Sequence, residues 1–182
     1  MLFMLNSWSC FSADTPRAEY PRPQFEREQW LNLNGTWTFD FDFGKSGKDR
    51  RLQSAEKFDK NITVPFCPES KLSGIGYTDF INHFWYQRPI TIPQEWNGKN
   101  ILLNFGAVYY KSEVYIDGVL ANRHFGGTSS FAVDITSLVK PGQTHSLVVY
   151  VESDVRGAKQ AAGKQNLQYA SYGCNYTRTT GI

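Results

Sequence analysis

The chain has 182 residues, of which 41% are apolar, 15% aromatic and 20% charged. That length suits one domain with a sizeable core, and it is too short for a barrel of eight strands and eight helices, which usually needs about 250 residues. The 19 Lys and Arg against 17 Asp and Glu leave a formal net charge of +2, so no excess of positive charge favours a nucleic acid or an acidic membrane as partner. No run reaches the roughly 20 apolar residues of a membrane span.

The N-terminus has the composition of a leader rather than of a domain. Residues 1–13 are largely apolar, carry the small residues Ser7 and Ser9 at cleavage-type spacing, and are followed at once by polar residues. This pattern indicates either a secretory signal peptide, which would make the protein periplasmic or secreted, or a disordered tail that leaves a cytoplasmic location open. We therefore predict a leader at residues 1–24 and a domain at residues 25–182.

Apolar and polar residues alternate most strictly at residues 36–43, which predicts a half-buried strand with Trp37, Phe39, Phe41 and Phe43 on its inner face. The same reasoning predicts further strands at residues 61–64, 84–92, 100–106, 112–116, 119–124, 131–135 and 147–152.

Turn residues separate the predicted strands. Asp117-Gly118 accepts the backbone conformation of a tight hairpin turn, and Pro89 favours an edge position or a bulge for its strand. A long irregular loop is predicted at residues 66–83, and residues 153–175 are polar and rich in glycine. Because no window has the period of a long amphipathic helix, the sequence predicts an all-β fold, an antiparallel β-sandwich.

The usual catalytic and metal-binding motifs are missing from the sequence. There is no nucleophile elbow, no zinc-protease helix, no phosphate-binding loop and no EF-hand. The cysteines and histidines are too scattered to predict a zinc site or a disulfide framework, namely Cys10, Cys67, Cys174, His83, His124 and His145. We predict no cofactor and no metal, and surface or hydrogen-bonded histidines.

Two other groups of residues offer chemistry. Glu69 and Asp79, in the long loop, could act as an acid and base pair, or could be solvated or capping groups. Exposed aromatic rings stack on the apolar faces of sugars. The candidates, most of which we expect to be packed in the fold, are Trp85, Tyr86, Trp96, Tyr109, Tyr110, Tyr169, Tyr172 and Tyr176.

A series of motifs resembles the N-terminal sugar-binding domain of glycoside hydrolase family 2, which includes β-galactosidases, β-glucuronidases and β-mannosidases. The motifs run in family order along residues 25–182: LNGTWTF at 33–39, VPFCPES at 64–70, WYQR at 85–88, IPQEWNGK at 92–99, FGAV at 105–108, VYIDG at 114–118, HFGG at 124–127, FAVDIT at 131–136 and YTRTTGI at 176–182. Trp37 and Trp85 would anchor the sandwich core, Gly126-Gly127 would allow a tight bend, and Asp134 would cap the turn that follows it.

The resemblance implies a galactose-binding-like, jelly-roll sandwich that packs against an immunoglobulin-like domain and a catalytic barrel, whose two glutamates perform a retaining hydrolysis. This chain does not contain that barrel, so we expect a fragment, incomplete at its C-terminus, that hydrolyses nothing alone. The expected ligand is a β-galactoside or β-glucuronide. The alternatives are a freestanding carbohydrate-binding module and a hydrolase complete in itself.

The family also implies candidate substrate-binding residues. Asn175 occupies the position at which related enzymes use a carboxylate or amide to contact sugar hydroxyls, and one amide both donates and accepts. Its alternative role is to hold its own backbone turn. Arg178 lies in the same motif and would bind sugar or hold the loop. Glu69 and Asp79 are the remaining candidates.

Overall fold

The computed structural model describes residues 15–182, so the predicted signal segment at residues 1–13 lies outside the described residues. Eight strands follow one another along this part of the chain: β1 Gly35–Phe41, β2 Lys60–Val64, β3 His83–Thr91, β4 Leu102–Phe105, β5 Lys111–Ile116, β6 Val119–Phe125, β7 Phe131–Asp134 and β8 Thr144–Glu152. The helical elements of residues 15–182 are short 3-10 helices at Pro23–Phe25, Leu52–Ser54, Lys71–Ser73 and Gln94–Trp96.

The strands form two antiparallel sheets. Six strands lie in the order β2-β1-β3-β8-β5-β6, and β4 pairs with β7 in a second sheet of two strands. Residues of both sheets contribute to one apolar core, which confirms the predicted all-β antiparallel sandwich. Its jelly-roll form, which the resemblance implies, stays a prediction.

The core follows the alternation of the sequence. Trp37 and Phe39 of β1 are buried, and so are the inward residues Leu103 and Phe105 of β4. Burying a large apolar side chain stabilises a fold by about 1.5–3 kcal/mol, so this main core is the chief source of the domain's stability. The polar residues between these positions lie on the outside of the strands.

A second apolar cluster lies on the other face of the large sheet. Trp85 is fully buried there, together with Phe58, Tyr115, Val148 and Tyr150. The prediction that Trp85 shares the sandwich core with Trp37 is therefore wrong, although both are buried. Trp85 is one residue away in β3 from the core residues Phe84 and Tyr86, so the pleat turns it to the opposite face.

Strand β1 ends two residues earlier than predicted. Phe41 is its last residue, and Phe43, which we placed on the inner face, is 60% exposed. The cause is Asp42, whose carboxylate accepts hydrogen bonds from the backbone N–H groups of Ser46 (2.9 Å) and Gly47 (2.9 Å). These bonds favour a turn over a continued strand.

The hairpin between β5 and β6 is confirmed. Asp117 and Gly118 both have positive φ, 49° and 80°, as a tight turn of this kind requires. Asp117 also accepts a bond from His145 Nδ1 at 2.6 Å, and His145 Nε2 accepts one from the Lys140 backbone N–H at 2.9 Å. The turn is thereby fixed to the start of β8.

Pro89 lies in the third strand of the large sheet rather than in an edge strand. Pro89 is opposite Ser146 of β8, whereas β1 pairs with β3 only as far as Gln87. On the side of β1 the proline therefore lies beyond the ladder, where its missing N–H removes no strand-to-strand hydrogen bond.

The segment before β1 is attached to the domain surface. The Asn34 side chain donates to the Pro16 carbonyl at 3.0 Å, and Arg22 donates to Ser130 Oγ at 3.0 Å. The start of the domain at residue 25 stays a prediction. Within residues 15–182 no helix is long and apolar enough to cross a membrane.

Candidate functional site

Three segments meet at one end of the sandwich: the loop at residues 65–82, the turn at residues 106–110 and the C-terminal segment at residues 153–182. We call this region the loop end. Tyr109 and Gly181 exchange two backbone hydrogen bonds, of 2.9 and 3.0 Å, which hold the C-terminal segment against the turn. A cleft of about 610 Å³ opens between the segments and is lined by Phe66, Tyr109, Gln165 and other residues.

One wall of the cleft requires a glycine. A side chain at Gly127 would collide with the ring of Tyr109, so the absence of a Cβ lets the ring lie flat against the backbone. The Tyr109 hydroxyl donates to the Ala161 carbonyl. The predicted bend at Gly126-Gly127, where Gly126 has φ 121°, thus also shapes the cleft.

Glu69 is buried at the loop end. Its two carboxylate oxygens accept hydrogen bonds from Thr180 Oγ1 at 2.8 Å and from the Thr180 backbone N–H at 3.3 Å. Burial raises the pKa of Glu69, because the loss of water outweighs these bonds. Burial likewise raises the pKa of the Cys67 thiol, and the nearby Glu69 carboxylate raises it further. Glu69 connects the loop to the C-terminal segment.

Arg178 makes the other main connection at the loop end. It is 3% exposed and donates to the carbonyls of Gln168 (2.6 Å) and Thr78. Its guanidinium also lies over the ring of Phe80, 4.3 Å from the centroid, where a cation is attracted to the π face. Of the two roles predicted for Arg178, these contacts correspond to holding the loop, and its contact with sugar stays a prediction.

Asp79 is half-buried beside Phe80. Its Oδ1 accepts a hydrogen bond from the Phe80 backbone N–H at 2.6 Å, which is a local turn contact. Arg156 lies 3.8 Å from the centroid of the Phe80 ring. The hydrogen-bond partners of Asp79 and Glu69 are therefore different residues, and no hydrogen bond between the described residues joins the two carboxylates.

Asn175 lies in a turn near the tip of the C-terminal segment. Its backbone N–H donates to the Tyr172 carbonyl at 2.9 Å, and the turn is fixed by hydrogen bonds that join Tyr176 to Lys164 (2.8 Å) and Asn166 (2.7 Å). The Asn175 side chain is half-exposed, and its amide has no hydrogen-bond partner within residues 15–182. It is therefore available to a ligand that both donates and accepts hydrogen bonds.

The candidate aromatic residues divide into packed and exposed groups. Trp85 and Tyr86 are fully buried, whereas three tyrosines of the C-terminal segment are exposed by half or more, namely Tyr169 (71%), Tyr172 (51%) and Tyr176 (58%). The exposed rings surround Asn175 in sequence. They offer a surface on which the apolar face of a sugar could stack.

Two residues that hold the loop end were not singled out from the sequence. Asn166 is fully buried and accepts a hydrogen bond from the Gln168 backbone N–H at 2.9 Å, and Thr180 is the partner of Glu69. Both lie in stretches without regular alternation, so periodicity gave no signal for them. All three histidines form hydrogen bonds, as predicted.

The family is shown by comparison with known proteins. The sequence model described as glycosyl hydrolase 2 galactose-binding domain-like matches residues 62–181, which is more than half of the chain. The chain therefore belongs to this family, and the resemblance that the motifs indicated is confirmed.

Relatives and solved structures with similarity to the chain include β-glucuronidases. The β-glucuronidase of Felis catus is 30% identical over 145 residues, which cover 74% of this chain and 22% of that protein. The β-glucuronidase of Paenibacillus borealis is 25% identical over 135 residues, which again cover 74% of this chain and 22% of that protein. The crystal structure of Ruminococcus gnavus β-glucuronidase superposes with a TM-score of 0.63 at 28% identity, over 71% of this chain and 22% of that one. The chain thus spans about a fifth of the length of these relatives.

Proposed function

We propose that this chain is the non-catalytic, N-terminal sugar-binding and scaffold domain of a family 2 β-glycosidase of the β-glucuronidase type. In this role it would pack against further domains of the same protein, an immunoglobulin-like domain and a catalytic barrel. Its loop end would supply one side of the pocket for a β-glucuronide. The observation that carries the proposal is the match to β-glucuronidases in both sequence and fold over only 22% of their length.

The arrangement of the loop end supports the proposal. Arg178 and Glu69 hold the C-terminal segment to the loop at residues 65–82 through buried hydrogen bonds. Such bonds fix a backbone more firmly than surface contacts do. Asn175 lies on this fixed segment with a free amide, which suits a residue that orients sugar hydroxyls in a pocket completed by another domain.

The two carboxylates of the loop, Glu69 and Asp79, are each engaged in another contact, which supports a non-catalytic role for them. Retaining hydrolysis needs two carboxyl groups about 5–5.5 Å apart across the scissile bond. Both oxygens of Glu69 face Thr180, and Asp79 caps its own neighbour, so the two loop carboxylates are engaged elsewhere.

Turnover of a chromogenic substrate tests the proposal. The purified chain should release no 4-nitrophenol above the buffer rate from 4-nitrophenyl β-D-glucuronide or β-D-galactoside. Turnover that copurifies with the folded chain and disappears in Glu69→Gln would contradict a non-catalytic role and support the alternative of a hydrolase complete in itself.

A further inference from the structure

A basic trough lies on the outer face of the large sheet, away from the loop end. Its floor consists of two rows of residues that are directly opposite one another across neighbouring strands. Lys111 of β5 lies between Phe125 of β6 and Glu152 of β8, and Glu113 lies between Arg123 and Tyr150. Because Val114 and Ile116 of β5 belong to the main core, the pleat turns Lys111 and Glu113 outward.

The trough carries an excess of positive charge. Glu113 pairs with Lys48 at 2.7 Å and Arg123 at 3.1 Å. Glu152 pairs with Lys111 at 2.7 Å and Lys45 at 3.6 Å. Three of these cations, Lys48, Lys111 and Arg123, line the trough together with both carboxylates, which leaves one positive charge there. This positive balance favours an anionic ligand.

Arg123 has unused hydrogen-bond donors. Its Nε donates to Glu113 Oε1 at 3.1 Å, while its two terminal nitrogens have no partner among residues 15–182. A guanidinium presents its donors as a fork that matches both oxygens of a carboxylate. The Nε bond already orients the guanidinium. Binding a ligand through the two terminal nitrogens would therefore cost little further side-chain entropy.

Phe125 supplies an apolar surface beside this fork. It is 62% exposed, and Lys111 lies 5.8 Å from the centroid of its ring. An exposed ring next to free cationic donors is suited to a ligand with both an apolar face and a negative group. A pyranose that carries a carboxylate has both.

The size of the trough limits the ligand. Its volume is about 190 Å³, below the roughly 300–1,000 Å³ of pockets for drug-sized molecules. That space suits a single ring. A nucleic acid strand fits less well, because binding along a backbone needs a line of cations and several rings for stacking, whereas these cations surround one point.

We propose that the basic trough binds the uronic acid unit of an acidic saccharide, with the Arg123 fork on the carboxylate and Phe125 against the ring. This site shares no residue with the loop end and goes beyond the proposed function. It would let the domain hold an acidic glycan independently of the loop end.

Calorimetric titration of the 182-residue chain tests the proposal. The probe is a tetrasaccharide of alternating glucuronic acid and N-acetylglucosamine, and its carboxyl-reduced derivative is the matched neutral ligand. The acidic probe should bind more weakly as the salt concentration rises. Carboxyl reduction and Arg123→Gln should each weaken binding about tenfold, since a hydrogen-bonded ion pair is lost. Phe125→Ala should weaken it about fivefold.

Matched variants separate this site from others. Arg27→Gln removes an exposed arginine of the N-terminal segment and should leave binding unchanged. All variants should keep the wild-type melting temperature within a few degrees, because Arg123 and Phe125 are exposed. The proposal is overturned if the wild type does not bind at millimolar probe, if the reduced probe or Arg123→Gln binds equally well, or if an oligothymidylate of the same charge binds as tightly. None of these results depends on whether the chain hydrolyses glycosides.

Discussion

Two buried carboxylates in different loops have opposite electrostatic behaviour. Asp42 begins the loop that covers the outer face of the large sheet, and Glu69 lies in the loop end. Both are less than 10% exposed. Burial by itself raises the pKa of Asp42, but hydrogen bonds from Trp85, Gly47 and Ser46 and the charge of Arg50 lower it below its usual value. The pKa of Glu69 is raised, because burial outweighs the bonds from Thr180.

The difference shows that the number and type of donors decide the charge of a buried acid. Asp42 has three N–H donors within 3.0 Å, from Ser46, Gly47 and Trp85, and a cation, Arg50, at 3.5 Å. Among the described residues, Glu69 has the donors of Thr180, its own backbone N–H and the weak donor Cys67, and no cation contributes. The outer loop therefore depends on an ionised group, whereas the loop end tolerates a neutral one.

The largest expected effect is that of Asp42→Asn. The amide loses the charge and places a donor against the N–H groups of Trp85 and Gly47, so the free energy of unfolding should fall by about 3 kcal/mol. Urea unfolding of the variant and the wild type at pH 7 measures this difference in the free energy of unfolding. In the wild type the contribution of Asp42 is present above about pH 4 and is lost as the pH falls through its lowered pKa, so the variant should show a flatter acid limb. Asp40→Asn, a partly exposed control, should cost less than about 0.5 kcal/mol.

A smaller effect is expected for Arg178→Lys. A lysine keeps the charge but does not reach both carbonyls of Gln168 and Thr78 in a fixed fork. Stability should fall by about 2 kcal/mol, and hydrogen exchange should speed up at the Gly181 and Tyr109 amides before it does in β3 and β8. Arg27→Lys is the control. Equal acceleration in all strands would show that Arg178 has no special role at the loop end.

The smallest effect is expected for Glu69→Gln. A raised pKa means that the protonated form suits the fold, so the stability from this group is present below its usual pKa of about 4.3 and is lost as the pH rises through the raised value. The variant should differ from the wild type by about 1 kcal/mol or less at pH 7 and should lose that pH dependence. Glu95→Gln, an exposed control, should follow the wild-type profile. If the free energy of unfolding of Glu69→Gln fell more steeply towards acidic pH than that of the wild type, the contrast drawn between Glu69 and Asp42 would be contradicted.

The sequence predicted the strands well where the signal was local. The alternation of β4 and the Asp117-Gly118 turn needed no tertiary information, because pleat and turn geometry act over a few residues. The end of β1 was missed, since it depends on where the Asp42 carboxylate finds its donors. The face occupied by Trp85 was missed as well, because β3 is buried on both sides and its run of apolar residues shows no alternation.

The loop end was less predictable for the same physical reason. The contact of Glu69 with Thr180 joins residues that are 111 positions apart, and that of Arg178 with Thr78 joins residues 100 apart. Neither lies in a periodic element, so only resemblance to a family could single out Arg178 and Asn175. The outer basic trough arises from the register of β5, β6 and β8, which no local pattern specifies.

The central claim is that the loop end presents Asn175 to a sugar, and nitrogen-15 chemical-shift mapping tests it most directly. The labelled chain is titrated with 4-nitrophenyl β-D-glucuronide, and a weak half-pocket is still detected at millimolar ligand. We predict shifts at the Asn175 side-chain amide and at residues 165–178, which disappear in Asn175→Ala but persist in Asn100→Ala. Saturating ligand that moves no signal of this segment, or the same shifts in Asn175→Ala, would contradict the account.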